Sequence, residues 1–271
     1  MGSLHDRYGG WALITGASAG LGEEYARQLA REGFSLILVA RRKERLEALA
    51  EELGKAHATE CLVVAQDLSQ PRADAAIASR VGKRPVGLLV NNAGFGFSGR
   101  FQDVPGERYS SMVRVNCEAV TALAHRYLPP MLERGRGGML VVASIAGYQA
   151  TPFFAVYGAT KAFDLMLGEA LWYELRGTGV DVLAVSPGET ETEFSSQAHF
   201  RRESKGASPE AVVRGSLRHL GRGPSYVPGA LNKLSAFAHR ILPRSWTTAI
   251  TGRVLAKELL RSTPAEIRAE G

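Results

Sequence analysis

The sequence contains very little cysteine: its 271 residues include only Cys61 and Cys117. Small secreted domains that depend on disulfides are much richer in cysteine, so a disulfide framework is excluded and a reducing compartment is indicated. The first residues contain no apolar signal core, and Asp6 stands where a myristoylation motif needs serine or threonine. These features predict a cytoplasmic protein.

Long apolar runs are also missing. The longest stretch without charge, residues 137–160, is interrupted by four glycines and by Pro152. Spanning a bilayer takes ~20 predominantly apolar residues, and this composition instead predicts a strand, a loop and the start of a helix. We therefore expect no membrane span, while peripheral contact with a membrane stays open. Apolar residues make up 45% and charged residues 22%, which excludes disorder and fibrous repeats.

Positive charge is concentrated in the last quarter of the chain. The formal net charge is +6, but residues 199–271 carry 13 basic and 5 acidic residues, which leaves residues 1–198 slightly negative. A basic segment can meet anionic substrates, membranes or nucleic acid. No nucleic-acid motif accompanies it, so we expect no nucleic-acid partner, and a solvated helical face is the simplest interpretation.

Short apolar runs alternate with amphipathic stretches as far as Pro187. Near-continuous apolar runs are typical of parallel strands, and their alternation with helices builds right-handed βαβ units. The pattern predicts an α/β protein with a doubly wound, Rossmann-type parallel sheet, helices on both faces, and one domain over residues 1–271. The predicted strands are Trp11–Thr15, Phe34–Ala40, Thr59–Ala65, Val86–Asn91, Met139–Ser144, Val180–Ser186 and a short Ser225–Val227. The predicted helices are Gly22–Glu32, Lys43–Leu53, Asn116–Glu133, Val156–Arg176, residues 208–221 and a basic extension at about 230–262, interrupted at Pro243.

A glycine-rich turn follows the first predicted strand directly. Residues 15–22 read TGASAGLG, with the spacing G-x-x-x-G-x-G, and a helix follows. Glycine lets the backbone turn sharply and approach a pyrophosphate, which the helix N-terminus stabilises through its dipole and free N–H groups. This context predicts a dinucleotide site. Its predicted cofactor-binding residues are Gly16, Ser18, Ala19, Gly20, Leu21 and Gly22.

The end of the second strand bears on the choice of cofactor. An acidic residue there would bind the ribose 2′-hydroxyl of NAD, but the sequence has Arg41 and Arg42. Guanidinium groups match a 2′-phosphate through charge-assisted bonds. We therefore predict NADP(H), with Arg41 as the main phosphate ligand and Arg42 second, and NAD(H) as the less favoured cofactor. The alternatives are that both arginines are surface residues that open the next helix, and that Asp67, a candidate for the adenine amino group, is a helix N-cap before Pro71.

Tyr157 and Lys161 stand four residues apart on a predicted helix, so they share one face with Cβ atoms ~5–6 Å apart. A tyrosine with its ordinary pKa of ~10 is a poor base at pH 7, and a nearby ammonium stabilises the phenolate and lowers that pKa. The pair follows a strand that ends in Ser144, at the edge of the sheet where ligands bind. This position favours an acid–base site over a solvated helix face.

Together these motifs resemble the short-chain dehydrogenase/reductase family over about residues 10–195. The resemblance implies a strand order of 3-2-1-4-5-6-7 and an NAD(P)-dependent oxidoreductase that interconverts a ketone or aldehyde and an alcohol. It is carried by the glycine-rich turn, Asn91-Asn92-Ala93-Gly94, Asn116, Ser144, Tyr157 with Lys161, and Pro187-Gly188 with Thr192. The catalytic residues it implies are Asn116, Ser144, Tyr157 and Lys161. The further cofactor-binding residues are Asp67, Leu68, Asn92, Ala93, Gly94, Tyr157, Lys161, Pro187, Gly188, Thr190 and Thr192.

The resemblance also implies a role for each catalytic residue. Tyr157 would exchange a proton with the substrate oxygen, which Ser144 would hold. Lys161 would bind the nicotinamide ribose and lower the pKa of Tyr157, and Asn116 would position a water in the proton relay. Thr192 would meet the nicotinamide carboxamide. No metal is implied.

Other segments resemble a subgroup that contains hydroxysteroid and long-chain 3-oxoacyl reductases. They are the opening HDRYGGWALITG, the segment VARRKERLEAL and the segment LPRSW at 242–246. The family implies a small-molecule carbonyl or alcohol substrate and a homodimer or homotetramer built through helices 116–134 and 155–176. Seven aromatic residues line a large apolar pocket or simply pack the core: Phe95, Phe97, Tyr148, Phe153, Phe154, Phe194 and Phe200.

Two classes of function compete. The leading hypothesis is an NADPH-dependent reductase, whose reaction in the cell could equally run as alcohol oxidation. The alternative is a regulatory protein that senses NADP(H) on the same fold with little turnover. The full catalytic set favours the enzyme, since a binding module would not need it. Glu189 and Glu191 make the loop after Pro187 more polar than is usual in the family, and residues 188–207 are predicted to be mobile.

Overall fold

The computed structural model describes residues 3–194 and 206–259. Its strands are β1 Trp11–Thr15, β2 Ser35–Ala40, β3 Cys61–Ala65, β4 Val86–Asn91, β5 Gly137–Val142, β6 Val180–Val185 and β7 Ser225–Tyr226. Its helices are α1 Leu4–Tyr8, α2 Gly20–Arg31, α3 Lys43–His57, α4 Ala73–Val81, α5 Gly106–Val113, α6 Ala119–Glu133, α7 Ala155–Glu174, α8 Pro209–His219, α9 Ala230–Ile241 and α10 Arg244–Leu259. Within these ranges the strands form one parallel sheet of order β3-β2-β1-β4-β5-β6-β7, as the family resemblance implies.

The sheet is buried on both faces because helices cover each of them. Every residue of β4 and β5 is buried, which explains why these strands are continuous apolar runs. On one face, Leu29 of α2 and Leu217 of α8 belong to a core cluster with alternate strand residues. On the other, Ile77 of α4 and Leu123 of α6 belong to a second cluster. This two-sided core confirms the predicted Rossmann-type α/β class.

The strand order places a crevice beside β1. The chain runs from β1 outward to β2 and β3 and then returns to β4 on the other side of β1. Ligands of such sheets bind outside the carboxyl ends of the strands at this switch point. The buried Thr15 hydroxyl joins the two sides there, since it donates to Val90 O at 3.3 Å and accepts from Asn92 N at 3.0 Å and Ala93 N at 2.9 Å.

The predicted strands agree with the structure to within two residues at each end, whereas three helices were not predicted. The short helix α1 rests on a capping box between Ser3 and Asp6. In α4 the buried Ile77 stands among alanines, which hide the helical periodicity. The segment α5 follows Pro105 and begins at Gly106, residues that sequence reasoning assigns to turns.

The prediction that a long helix opens at Asn116 is wrong. Residues 114–118 form a π-helical turn that continues α5 directly into α6. Such turns insert one extra residue into a helix and occur often at functional sites. A pattern with a period of 3.6 residues cannot reveal this local widening, so the start of the helix was misplaced.

The C-terminal region follows the predicted order: a helix, a short strand, and two helices on either side of Pro243. The ends of the predicted mobile loop are joined by Ala207, which donates to Glu189 O at 2.9 Å and accepts from Glu191 N at 3.1 Å. Residues 195–205 of that loop and the end of the extension beyond 259 lie outside the described residues. Within the part of the chain that the structure describes, no helix is long and apolar enough to cross a membrane.

Candidate active site

The glycine-rich turn forms a cradle at the start of α2. Gly16 and Gly20 have φ angles of +68° and +57°, a left-handed conformation that favours glycine. A Cβ atom at Gly22 would lie 2.2 Å from Gly16 O and 2.6 Å from Asn92 Nδ2, so any side chain there would displace the turn. No side chain caps the helix start, whose flanking residue is Ala19. The first N–H groups of α2 therefore remain available to an anion.

Two arginines lie beside this turn, but they differ in their contacts. Arg42 donates to Ser18 Oγ from Nε at 3.2 Å and from Nη2 at 3.1 Å. Arg41 is exposed, and within the described residues its side chain makes no hydrogen bond or ion pair. The structure thus brings Arg42 onto the cradle, while Arg41 stands at its rim.

An acidic residue that sequence reasoning missed closes this corner. Glu193 pairs with Arg42 at 3.0 Å and with Arg45 at 2.7 Å. Hydrogen bonds from Arg45 and Arg42 hold the pKa of Glu193 below its ordinary value. The loop after Pro187 is therefore tied to the second βα junction by ion pairs, and its carboxylate competes for the arginine that faces the cradle.

Tyr157 lies near the start of α7 and is buried between two aromatic rings. The ring centroid of Phe154 is 4.6 Å away and that of Phe194 is 5.3 Å away. Burial raises the pKa of Tyr157, Lys161 and Ser144 lower it, and the net direction is upward. The phenol is therefore protonated at neutral pH.

Lys161 is buried one turn after Tyr157 and is held by two acceptors. Its Nζ donates to Val142 O at 2.7 Å and to Asp164 Oδ2 at 2.9 Å. Burial lowers the pKa of Lys161, but the charge of Asp164 and the proximity of Tyr157 outweigh this, so the pKa is raised. Lys161 therefore stays cationic. As predicted, Lys161 lowers the pKa of Tyr157, but burial of the phenol raises that pKa by more.

Asn116 is fully buried in the π-helical turn, where its amide holds the segment after β4. Its Nδ2 donates to Phe95 O and to Thr160 Oγ1, each at 3.0 Å, and its Oδ1 accepts from Phe95 N at 3.1 Å. A Cβ atom at Gly94 would lie 3.2 Å from both Asn116 Oδ1 and Lys161 Nζ. The glycine thus separates two members of the predicted relay, and the water between them stays a prediction.

The model of the short chain dehydrogenase family matches residues 10–202, more than half of the chain. The chain belongs to this family. It is 30% identical over 255 residues to the 7beta-hydroxysteroid dehydrogenase of Clostridium sardiniense, covering 93% of this chain and 98% of that protein. It is 31% identical over 272 residues to the very-long-chain 3-oxoacyl-CoA reductase of Anas platyrhynchos, covering 96% of this chain and 82% of that protein.

A solved structure supports the same grouping. The short-chain dehydrogenase from Sphingobium yanoikuyae in complex with NADPH matches with a TM-score of 0.76 at 31% identity, covering 96% of this chain and 98% of that chain. The predicted resemblance to hydroxysteroid and 3-oxoacyl reductases is confirmed. As a short-chain dehydrogenase, the protein is an NAD(P)-dependent oxidoreductase that acts on a hydroxyl or carbonyl group.

The segment after β6 brings the remaining family motif to the cradle. A Cβ atom at Gly20 would lie 3.0 Å from Thr192 Cγ2, so Thr192 packs on the glycine-rich turn. Pro187 O accepts from Ile145 N at 3.0 Å, which fixes the segment beside Ser144. Thr190 donates to Gly188 O at 3.2 Å. These contacts place the predicted residues along one crevice.

Asp67 and Leu68 occupy the far end of that crevice. Asp67 Oδ1 accepts from Ser69 N at 2.9 Å and from Ser69 Oγ at 2.8 Å, so the carboxylate caps the loop before α4. Leu68 is buried in the core cluster under β2 and β3. The alternative that Asp67 is a helix N-cap is wrong, because α4 begins at Ala73 after Arg72, and a contact of Asp67 with adenine stays a prediction.

Four of the seven aromatic candidates surround Tyr157. Phe97 lies in its apolar cluster, against which Phe95, Phe154 and Phe194 also pack. A Cβ atom at Gly96 would meet Phe154, Tyr157 and Phe194 at 2.7–3.2 Å, so the rings converge on this glycine. Tyr148 packs with Ala143, Leu165 and Ala184, Phe153 has a φ of +65°, and Phe200 lies outside the described residues.

Sequence reasoning also missed Asn232 of α9, which borders the crevice. Its amide atoms lie 2.5–2.8 Å from the place where Gly188 would carry a Cβ atom, and its Nδ2 donates to Pro228 O at 2.8 Å. The C-terminal helix therefore packs on the Pro187-Gly188 motif. The basic composition of this region drew attention to its charge, whereas its contact with the site depends on a glycine that no periodicity marks.

Proposed function

We propose that this short-chain dehydrogenase uses NADPH to reduce a ketone or aldehyde to an alcohol, with Tyr157 as proton donor. The observation that carries the proposal is the buried Tyr157 phenol, which is protonated at neutral pH, with Ser144 beside it and a cationic lysine one turn away. A protonated phenol is the form that a reductase needs, because the carbonyl oxygen must gain a proton.

The residues of the crevice suit a dinucleotide phosphate. The uncapped start of α2 and the turn that only glycine fits would hold the pyrophosphate. Arg41 and Arg42 would bind the 2′-phosphate, and Thr192, Asn92 and Lys161 would line the nicotinamide end. The NADPH in the Sphingobium yanoikuyae relative supports this choice over NAD(H). When bound, the nicotinamide supplies the hydride.

The protein's own part is then to orient the substrate oxygen and transfer a proton. The Ser144 hydroxyl holds the carbonyl oxygen beside the phenol, and Tyr157 donates its proton to that oxygen as it becomes an alkoxide. Lys161 stabilises the resulting phenolate by its charge. Asn116 fixes the backbone of Phe95 and so keeps the wall opposite Tyr157 in place.

We propose a large apolar ketone, of the size of a ketosteroid, as the substrate class. Phe95, Phe97, Phe154 and Phe194 lie around Tyr157, and α9 reaches the crevice through Asn232. Apolar walls with a few polar groups are typical of such sites. The name of the Clostridium sardiniense relative points to the same class.

The test is NADPH oxidation by the purified protein with ketosteroids, with short aliphatic ketones of the same carbonyl type as comparison. We expect turnover with the steroids, a clear preference over the short ketones, and loss of turnover in Tyr157→Phe. Tight NADPH binding without turnover on any carbonyl would instead support the regulatory sensor. Equal rates on short and bulky ketones would refute the substrate class but keep the reaction.

We also propose a homodimer or homotetramer in the cytoplasm. On α7, Phe163, Met166 and Tyr173 are 40%, 56% and 63% exposed, and Leu132 on α6 is 38% exposed. Apolar surface on these two helices is the kind that a second subunit covers. Light scattering of the wild type and of Met166→Glu tests this, since a charge on such a face should produce monomers.

A further inference from the structure

A second buried acid lies behind the catalytic pair. Asp164 follows Lys161 by three residues on α7, and the exposed fractions of the two side chains are 1% and 5%. Its Oδ2 accepts from Lys161 Nζ at 2.9 Å. Its Oδ1 is buried and, within the described residues, has no hydrogen-bond partner. Apart from keeping Lys161 cationic, this carboxylate has no part in the roles assigned above.

Burial makes this ion pair costly. A carboxylate that is removed from water needs a full set of partners, and a half-satisfied one destabilises the fold relative to an apolar side chain of similar size. An apolar residue at position 164 would also pack against the sheet, as the neighbouring Leu165 does. A stabilising role thus explains the carboxylate poorly.

Among the described groups around the Lys161–Asp164 pair, Asp164 is the one that carries a charge opposite to that of Lys161. On α7 these are Tyr157 and Lys161, and the π-helical turn contributes Cys117. Strand β5 contributes only the carbonyl of Val142. Tyr148, on the turn after β5, packs on Leu165. The Asp164 carboxylate therefore faces the single charge of the Lys161 ammonium at 2.9 Å. Burial raises the pKa of Asp164, and the charge and hydrogen bond of Lys161 act against this rise and favour the ionised form.

We propose that Asp164 is a positioning residue of the active site, whose buried carboxylate fixes the Lys161 ammonium and offsets its charge so that Tyr157 stays protonated. The inference rests on the proposed function, since it assigns Tyr157 the part of proton donor. The geometry predicts how Asp164 changes the ionisation of Tyr157. An unopposed positive charge on Lys161 would favour the phenolate, whereas the Asp164 carboxylate beside that charge weakens its electric field at Tyr157 and so favours the protonated phenol.

The direction of the pKa shifts agrees with this geometry. Asp164 contributes to raising the pKa of Tyr157, although burial of the phenol is the larger cause. Neutralising Asp164 should lower the pH at which Tyr157 ionises by at most about one unit, since the Asp164 charge acts on the phenol from beyond Lys161 and is the smallest of the causes that shift its pKa. The alkaline range in which alcohol oxidation is fast should then begin up to about one unit lower.

The test compares Asp164→Asn, Asp164→Glu and the wild type. The first readout needs no substrate: the phenolate absorbance of each protein is titrated with pH, and the matching protein with Tyr157→Phe is subtracted. The second is kcat/KM for alcohol oxidation against pH. In Asp164→Asn we expect both curves to shift by up to about one pH unit toward lower pH. At pH values below the rise of the wild-type curve, kcat/KM for oxidation should then be up to about tenfold higher. Asp164→Glu should restore the wild-type curves.

Asp181→Asn is the matched control, because Asp181 likewise pairs with a basic side chain, Arg7 at 2.8 Å, close to a tyrosine, Tyr8, whose phenol donates to it at 2.9 Å. It stands at the amino end of β6, away from the crevice, so its curves should not move. A lower Tm with unmoved curves in Asp164→Asn would make Asp164 merely structural and overturn the proposal. If no carbonyl is turned over, the proposed function fails, while the phenolate titration still decides the role of Asp164.

Discussion

The residues around Tyr157 and the two C-terminal helices differ in how their side chains are partnered. Around Tyr157, Asn116, Thr160 and Lys161 are buried and each is hydrogen-bonded within the chain. On α9 and α10, by contrast, Leu231, Phe237 and Trp246 are 82%, 60% and 64% exposed. Residues 230–257 contain no acidic residue.

This difference separates two tasks. Proton transfer needs groups held in fixed positions, so that hydrogen-bond donors and charges are already oriented to stabilise the charges that develop in the reaction. Exposed apolar surface instead marks contact with a ligand, another protein or a membrane. The buried crevice is thus equipped for the family's chemistry, and the two C-terminal helices, of which α9 touches the crevice through Asn232, present exposed apolar surface.

The largest effect should come from the phenol itself. Tyr157→Phe removes the proton donor but keeps the ring between Phe154 and Phe194, so kcat should fall at least ~10²-fold while NADPH still binds. Steady-state rates and NADPH fluorescence titration measure the two quantities. A variant that turns over at close to the wild-type rate would show that the proton comes from another group.

The next effect compares the stability of the two regions. Leu29 on α2 is fully buried, and Leu29→Ala should lower the free energy of unfolding by about 2–5 kcal/mol. Leu234 on α9 is 64% exposed, and Leu234→Ala should change it by less than about 0.5 kcal/mol. Urea unfolding at two protein concentrations measures both. A concentration-dependent loss in Leu234→Ala would show that a second copy covers α9.

The parts of the site that sequence could predict are those carried by short spacings. The glycine-rich turn, and Tyr157 with Lys161, are local patterns whose geometry follows from one turn or one helix. Asp164 was missed although it lies on the same helix, because a charged residue three positions after a lysine ordinarily faces solvent. Only the packing of α7 on the sheet turns it inward.

Contacts between distant segments were equally hidden. Glu193 meets Arg42 and Arg45 across about 150 residues of chain, and nothing local in the loop selects it over Glu189 or Glu191. The strand order, in contrast, followed from the family resemblance. Local chemistry was therefore predictable, and the partners of charged side chains were not.

Cofactor choice should change by an intermediate amount. A charged hydrogen bond is worth ~1.5–3 kcal/mol, which corresponds to about 10- to 150-fold in affinity. Arg41→Asp should remove one phosphate contact and offer a carboxylate to the ribose hydroxyls of NADH, and so invert the preference. Arg42→Ala should lose NADPH affinity within the same range and leave NADH unchanged.

The measurement for both variants is kcat/KM with NADPH and with NADH. Arg80→Ala is the control, since it removes an exposed positive charge at the end of α4, far from the cradle. Equal use of the two cofactors by the wild type would count against a phosphate site. If Arg42→Ala loses more kcat/KM with NADPH than Arg41→Asp does, Arg42 is the main phosphate ligand, and the predicted order of the two arginines is wrong.

The smallest effect concerns the loop that joins the two regions. Glu193 ties the segment after β6 to Arg42 and Arg45, so it competes with the 2′-phosphate for the guanidinium of Arg42. Glu193→Gln should strengthen NADPH binding by only about 1.5- to 5-fold, because exposed ion pairs are worth ~0.2–1 kcal/mol. NADH binding should not change, since NADH lacks the 2′-phosphate that would compete with Glu193 for Arg42. Glu210→Gln, which breaks the exposed pair with Arg214 on α8, is the control.

The effect is measured as NADPH affinity at low and at high salt. A Glu193→Gln variant that binds NADPH more weakly would show that the loop assists the phosphate site instead of competing with it.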